Sequence, residues 1–144
     1  MSQLVIEELK GDKTAWIYPL ADGEFEPVVE EPDPQRVAFK VRHLSTGDRE
    51  RMLQKMIQRG IMKRKMRGGQ EQVVTVLEKT YERNKLFAES LVTDWHGVIE
   101  GGQPIPFSLD QMAQILDVRP DIYSALWAAV GAVDLFFGKN GSAP

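Results

Sequence analysis

The clearest alternation of apolar and polar residues lies in RVAFKVRHL, residues 36–44. It sets Val37, Phe39 and Val41 on one face of an extended chain, while Lys40 falls on the other face. A period of two residues is typical of a half-buried β-strand. We therefore predict a strand in this stretch.

A second β pattern precedes it in TAWIYPLADGEFEPVV, residues 14–29. Asp22-Gly23 is a dipeptide favoured in the tight turns of β-hairpins, and extended runs flank it on both sides. Pro19 and Pro27 would shorten these strands or confine them to the edge of a sheet, because proline has no N–H to donate. The pattern predicts a small N-terminal hairpin.

Helical spacing takes over at Ser45. Its hydroxyl suits the N-cap position, and Asp48 suits the positive end of the helix dipole. An apolar face follows at helical spacing, formed by Leu53, Met56, Ile57 and Gly60. Gly60 or the Gly68-Gly69 pair would end this helix, so we interpret residues 59–67 as a frayed helix end or a mobile loop.

Residues 71–91 are predicted to form a long helix, because an apolar stripe runs among charged residues there. The stripe consists of Val73, Leu77, Tyr81, Ala88 and Val92. We interpret residues 91–108, LVTDWHGVIEGGQPIPFS, as a shaped connector. Ser108 caps a further helix with Gln111 completing a capping box, and Pro120 suits the first turn of a final helix that reaches residue 137.

These elements predict a mainly α protein of the α+β type, in which a small N-terminal β hairpin and strand precede about four helices. We expect a single domain over residues 1–144, with a β-rich part (1–44), a helical part (45–137) and a disordered tail (138–144). The final helix is apolar almost all round and must be covered on more than one side. A subunit interface is one way to cover it, so we expect a homo-oligomer.

Charge is distributed unevenly, although the 144 residues carry only −3 overall. Residues 1–35 contain nine acidic and two basic residues, residues 36–67 contain two acidic and eleven basic ones, and residues 68–144 contain ten acidic and five basic ones. Such asymmetry marks either a binding surface or complementary faces that meet between subunits. The remaining composition, 42% apolar and 27% charged, is typical of a soluble globular protein.

The chain has no cysteine, which excludes disulfides, thiolate nucleophiles and cysteine-based zinc sites. Its first residues carry acids where a signal peptide carries bases. The uncharged run Ile122–Val133 is too short to cross a bilayer, which needs about 20 residues. These features predict a cytoplasmic protein with no membrane contact.

Asp94, His96 and Glu100 crowd together and raise the question of a metal or catalytic loop. The chain has only two histidines, and no pair of potential ligands has the spacing of a helix-borne metal site. A Ser-His-Asp arrangement would need neighbouring residues to form the triad, which known triads do not do, and no phosphate-binding glycine loop is present. We predict no metal, no cofactor and no enzyme activity.

The basic middle of the chain suggests contacts with nucleic acid or with an acidic protein. No aromatic residue lies between Val41 and Thr80 to stack on bases, and the acidic flanks would repel a polyanion. A solvated face or a docking face for a protein is therefore favoured over nucleic acid.

Methionines are concentrated in the same segment, and flexible thioether side chains suit surfaces that adapt to a partner. The side chains that we predict to face a partner are Met52, Met56, Met62, Lys63, Arg64 and Met66. The alternative is that methionines at helical spacing simply belong to the core.

DWHGVIEGGQPIPFSLDQMAQIL, followed by a proline-led helix, resembles the tail assembly chaperones of long-tailed bacteriophages and prophages. That family often carries an Asp-Trp-x-Gly-Val segment followed by Gly-x-Pro-Ile-Pro-Phe-Ser before a helix. The matching positions are Asp94, Trp95, Gly97, Val98, Gly102, Pro104, Ile105, Pro106, Phe107 and Ser108. AFKVRHLSTGDRERM, residues 38–52, also looks like the family's passage from strand to helix. The resemblance covers roughly residues 36–137.

The resemblance implies a small, mostly helical, non-enzymatic protein of the bacterial host cytoplasm. Such proteins bind the tape measure protein during tail assembly, self-associate and are commonly missing from the finished virion; the major tail protein is a further candidate partner. Two alternatives stay open: a small nucleic-acid-binding regulator that uses residues 49–67, and a structural tail protein such as a terminator or connector.

Overall fold

Strands and helices alternate along the whole chain in the computed structural model, which describes residues 4–137. The strands are β1 (Thr14–Pro19), β2 (Phe25–Pro27), β3 (Ala38–Arg42), β4 (Met62–Arg67), β5 (Gln70–Thr75), β6 (Val92–His96), β7 (Ile99–Glu100) and β8 (Gln103–Pro104). The helices are α1 (Thr46–Gln58), α2 (Thr80–Leu91), α3 (Leu109–Val118), α4 (Pro120–Val130) and α5 (Val133–Phe137). Short 3-10 turns lie at Ile6–Leu9 and Leu77–Lys79. The tail predicted to be disordered, residues 138–144, lies outside the described residues.

The prediction of a mainly α protein with a small N-terminal β element is wrong. The fold is α+β, with 26% of the residues in strands, and only three of its strands lie within residues 1–44. The other strands interrupt the segment predicted to be helical. The described residues contain five helices, and the final predicted helix is divided at Gly131 into α4 and α5.

A four-stranded antiparallel sheet in the order β2-β1-β3-β6 forms the centre of the fold. The predicted N-terminal hairpin is confirmed, with Leu20 N–H donating to Glu24 O across its turn. Strand β2, which contains Pro27, lies at a sheet edge as expected. The predicted strand at residues 36–44 is confirmed as β3, which lies between β1 and β6.

One face of this sheet carries the hydrophobic core. Phe39 of β3 lies opposite Ile17 of β1 and Trp95 of β6, so the three side chains share a face. Phe39 and Ile17 are fully buried, and Trp95 is 6% exposed. Buried residues of α2, α3 and α4 join the same cluster, including Phe87, Leu91, Met112, Leu116 and Leu126.

Residues 62–75 form an antiparallel hairpin, not the frayed end of one helix and the start of another. Gly68 and Gly69 have φ angles of 59° and 79°, the conformation of a two-residue type I′ turn. They therefore connect β4 to β5 in register from Arg67↔Gln70 to Met62↔Thr75. The predicted long helix at 71–91 is consequently shortened to α2.

The predicted helix starts are confirmed where a local cap defines them. Ser45 and Asp48 form a reciprocal capping box at α1, and Gly60, with φ 72°, follows the end of that helix. At α3, Ser108 Oγ accepts the Gln111 N–H at 3.3 Å. The second hydrogen bond of the capping box predicted there, from the Ser108 N–H to the Gln111 side chain, is not formed. The Gln111 side chain donates to Glu100 Oε2 instead.

Gly97 occupies a position that only glycine fits. Its φ is 78°, and a Cβ added there would lie 2.7 Å from the Arg36 carbonyl oxygen. The tight approach joins the end of β6 to the residues that precede β3. Gly101, at φ 60° in the turn between β7 and β8, has open space around the equivalent position.

We expect Gly97→Ala to lower the free energy of unfolding by about 3 kcal/mol, through left-handed strain and displacement of the Arg36 backbone. The matched control Gly101→Ala should cost only about 1 kcal/mol, because it adds the strain without the steric conflict. Urea unfolding followed by circular dichroism measures both. Equal losses for the two variants would contradict the close approach at Gly97.

Candidate functional site

The residues of the motif at positions 94–108 divide between strand β6, the hairpin that follows it and the approach to α3. Asp94 and Trp95 lie in β6, so residues 92–96 are not part of a connector as predicted. Trp95 Nε1 donates to the Ile105 carbonyl oxygen at 2.9 Å, and its ring meets Phe107 edge-on at a centroid distance of 5.1 Å. Val98, Ile105 and Phe107 are half-buried against the core. The motif therefore fastens the β7–β8 hairpin to the sheet.

The three candidate metal ligands, Asp94, His96 and Glu100, each contact a different part of the chain. Asp94 Oδ1 accepts the Trp95 N–H at 2.8 Å, and His96 Nε2 lies 3.1 Å from the Asp33 carbonyl oxygen. Glu100 Oε2 accepts from Gln111. Between residues 4 and 137, no group of three or more His, Asp or Glu side chains is placed to hold a metal ion.

An exposed polar cluster joins α2 to α3. Asp110 accepts a hydrogen bond from the Tyr81 hydroxyl and lies 3.1 Å from Lys85 Nζ. The hydrogen bond from Tyr81, and then the one from Lys85, lower the pKa of Asp110, while the pKa values of Tyr81 and Lys85 are raised. Each shift holds its group in its ordinary charge state. The cluster is therefore an inter-helix tie and not an activated acid or base.

Three of the four methionines predicted to face a partner, Met52, Met56 and Met62, gather at an open groove between α1, β4 and α4, which we call the methionine groove. Its volume is about 420 Å³. Its lining residues are Thr46, Arg49, Glu50, Met52, Leu53, Met56, Met62, Tyr123 and Trp127. Met56 is buried at its base with 3% exposure, while Met52 and Met62 are half-buried on its sides.

The aromatic wall of the methionine groove comes from α4. Trp127 is 39% exposed, an unusual position for a large apolar ring, and Tyr123 lies one turn earlier. Phe87, fully buried on α2, stacks on the Tyr123 ring at 4.1 Å and contacts Trp127 at 5.8 Å. The wall is therefore rigid, whereas the methionine side of the groove can change rotamers.

Arg49 brings positive charge to the rim of the methionine groove. Its Nη1 lies 3.2 Å from the point where a Cβ on Gly131 would stand, beside the C-terminal end of α4. The negative end of that helix dipole favours a cation there. In the part of the chain that the structure describes, Arg49 forms no ion pair, and its buried Nε has no hydrogen-bond partner.

The other residues predicted to face a partner, Lys63, Arg64 and Met66, lie on β4 and divide between its two faces. Met62 lines the groove, so Arg64 and Met66, two and four residues on, belong to the same face of β4. Arg64 pairs with Glu71 at 2.7 Å, and Met66 is 66% exposed. Lys63 falls on the opposite face, with Lys65 and Arg67.

A second groove, of about 480 Å³, lies between the motif hairpin and α3. Gly97, Val98 and Ile105 of the motif line it, together with the exposed side chains Ile99 and Val118. The sequence interpretation did not find this groove. The sequence offered only a weak signal for it, because Ile99 and Val118 lie on elements that are distant along the chain.

No family model matches the chain, and searches of curated proteins and of solved structures find no match. Among residues 4–137, no helix is long and apolar enough to cross a bilayer.

His43 lies beside Arg49 at the far end of α5. Its ring lies 5.1 Å from the Phe136 ring and 5.0 Å from the Phe137 ring. Burial lowers the pKa of His43, the Asp48 carboxylate opposes this effect, and Arg49 adds to it. Protonation in the folded state is therefore less favourable than in the unfolded chain.

We expect the wild-type protein to lose stability as pH falls through the ordinary histidine range near 6.5, because the unfolded chain then binds the His43 proton more tightly. His43→Gln should flatten the dependence of Tm between pH 8 and pH 5. The lowered carboxylate pKa of Asp48 acts only below about pH 4, outside this window. Thermal unfolding at both pH values measures the difference, and an unchanged slope in the variant would contradict this role of His43.

Proposed function

We propose that this chain is a tail assembly chaperone of a long-tailed bacteriophage or prophage, acting in the cytoplasm of the bacterial host. It binds a tape measure protein, associates with copies of itself and carries out no reaction. The methionine groove is the observation that supports this proposal best, because it offers an adaptable apolar surface beside Arg49, a cation without an ion pair among the described residues.

The chemistry of the groove suits one face of an amphipathic helix. Helix-in-groove recognition uses apolar side chains that project from one stripe of the partner. Methionines on one side adapt to the shapes of those side chains, while Trp127 provides a fixed aromatic contact. Arg49 adds a preference for acidic residues at the margin of the stripe.

The sequence resemblance supports the same role from an independent direction. Its motif positions fasten a hairpin to the sheet and leave the methionine groove, some distance along the chain, free for a partner. A tape measure protein is expected to be long, largely helical and apolar along stripes. Such a partner needs many weak, adaptable contacts and not a single reactive pocket.

We expect Met52→Glu to weaken binding to a tape measure protein of the same phage at least tenfold, since burying a carboxylate in the groove opposes apolar contact. Leu77→Glu is the matched control, because Leu77 is 86% exposed and lies outside the groove. Biolayer interferometry on the purified proteins measures both affinities. Equal binding by the two variants would contradict the use of this groove.

A nucleic-acid-binding regulator is the alternative that one observation favours, because Lys63, Lys65 and Arg67 share an exposed face of β4. A mobility shift with duplex DNA at increasing salt separates the two functions. Tight, steeply salt-dependent binding would overturn the chaperone proposal. A structural tail protein is the other alternative, and its detection by mass spectrometry in purified virions would decide for it.

A further inference from the structure

The usual arrangement of buried apolar and exposed polar side chains is inverted in residues 4–9, LVIEEL. We call these residues the LVIEEL segment. Leu4 is 63% exposed, Ile6 57% and Leu9 41%. Glu8 in the same 3-10 turn is half-buried instead. Aliphatic side chains are usually buried and carboxylates usually exposed. The segment reverses both preferences, which indicates that another surface covers its aliphatic side chains.

The inward carboxylate has an unmet requirement of its own. Glu8 Oε2 is buried, and among the described residues it has no hydrogen-bond partner. A buried carboxylate oxygen without a donor costs free energy, because it gives up water without compensation. Two independent features, exposed aliphatic side chains and an unsatisfied acid, therefore favour movement of this segment to another surface.

The methionine groove has complementary requirements. It exposes Trp127 and two methionines where the LVIEEL segment offers Leu4, Ile6 and Leu9. It also holds Arg49, which forms no ion pair with any residue from 4 to 137, where the segment offers Glu7 and Glu8. Its volume of about 420 Å³ lies within the range of ~300–1,000 Å³ for cavities that hold small ligands. A few aliphatic side chains fill such a space.

We infer that the LVIEEL segment of one copy of this protein docks in the methionine groove of a second copy, with its glutamates toward Arg49. The single chain places the segment outside its own groove, where its aliphatic residues stay exposed, which makes a second copy the source of the occupant. The contact joins different surfaces of two copies, so it is heterologous and builds a ring or an open chain.

This inference specifies the self-association in the proposed function and rests on that part of it. The partner helix proposed above would use the same groove. The LVIEEL segment and that helix therefore exclude each other, and binding of the partner would release one copy from the next.

Reciprocal charge reversal tests the docking. We expect sedimentation velocity of the wild-type protein to show concentration-dependent association. Glu7→Lys/Glu8→Lys and, separately, Arg49→Glu should each weaken it at least tenfold. Mixing the two variants in equal amounts should restore association, because the lysines of one variant's segment then face the glutamate in the other variant's groove.

An apolar pair of variants provides the matched control. Ile6→Ser should weaken self-association at least tenfold while leaving the circular dichroism spectrum and Tm unchanged, because Ile6 is exposed in the single chain. Leu77→Ser, at a still more exposed position outside both the segment and the groove, should leave association intact.

Three outcomes would overturn the inference. A wild-type protein that stays monomeric at every concentration removes self-association altogether, and binding to the tape measure protein is then judged separately by the Met52→Glu comparison. Association that survives both charge reversals removes this interface alone. Failure of the mixed variants to associate would show that the segment and the methionine groove do not meet.

Discussion

The pairing of β3 with β6 is the contact on which the rest of the structure depends. It joins residues 38–42 to residues 92–96, and it sets Phe39 against Trp95 on the face that the helices cover. Trp95 then holds the Ile105 carbonyl, which fixes the approach to α3. Gly97 permits the close passage of the chain past Arg36 that this pairing requires. Helix α2 contacts both strands of this pair, and α3 packs against α2.

The sequence predicted those elements that depend only on residues close together in the chain. The Asp22-Gly23 turn, the alternation in β3 and the capping box of α1 need only neighbouring residues, and the structure has all three. The β4–β5 hairpin was missed because lysine, arginine, methionine and glutamine suit a helix almost as well as a strand. Gly68-Gly69 was interpreted as a helix stop, although two consecutive glycines equally suit a type I′ turn. The β-branched run Val73-Val74-Thr75 was the signal that could have decided between them.

The groove could be predicted only in part, for the same physical reason. Met52 and Met56 lie four residues apart on α1, so their shared face follows from helical spacing. Met62 joins them only because the chain turns back at Gly60 and continues as a strand. Tyr123 and Trp127 complete the wall from a helix that is distant in sequence, and no pattern along the chain links them to the methionines. Trp127 was assigned to an apolar helix that needed cover, which is correct for most of α4 but leaves its own ring partly exposed.

Docking of the LVIEEL segment of one copy against Trp127 of a second copy would explain why both are exposed in the single chain. Such a groove would rarely be empty in a concentrated protein, because a copy's segment would occupy it until a partner arrived. The apparent affinity for the partner would then fall by the fraction of grooves that are free. A partner that presents a longer apolar stripe than six residues would overcome this competition by burying more surface. Self-association through the groove would therefore select for long helical partners over short apolar peptides, which is the discrimination that an assembly factor for a long helical protein needs.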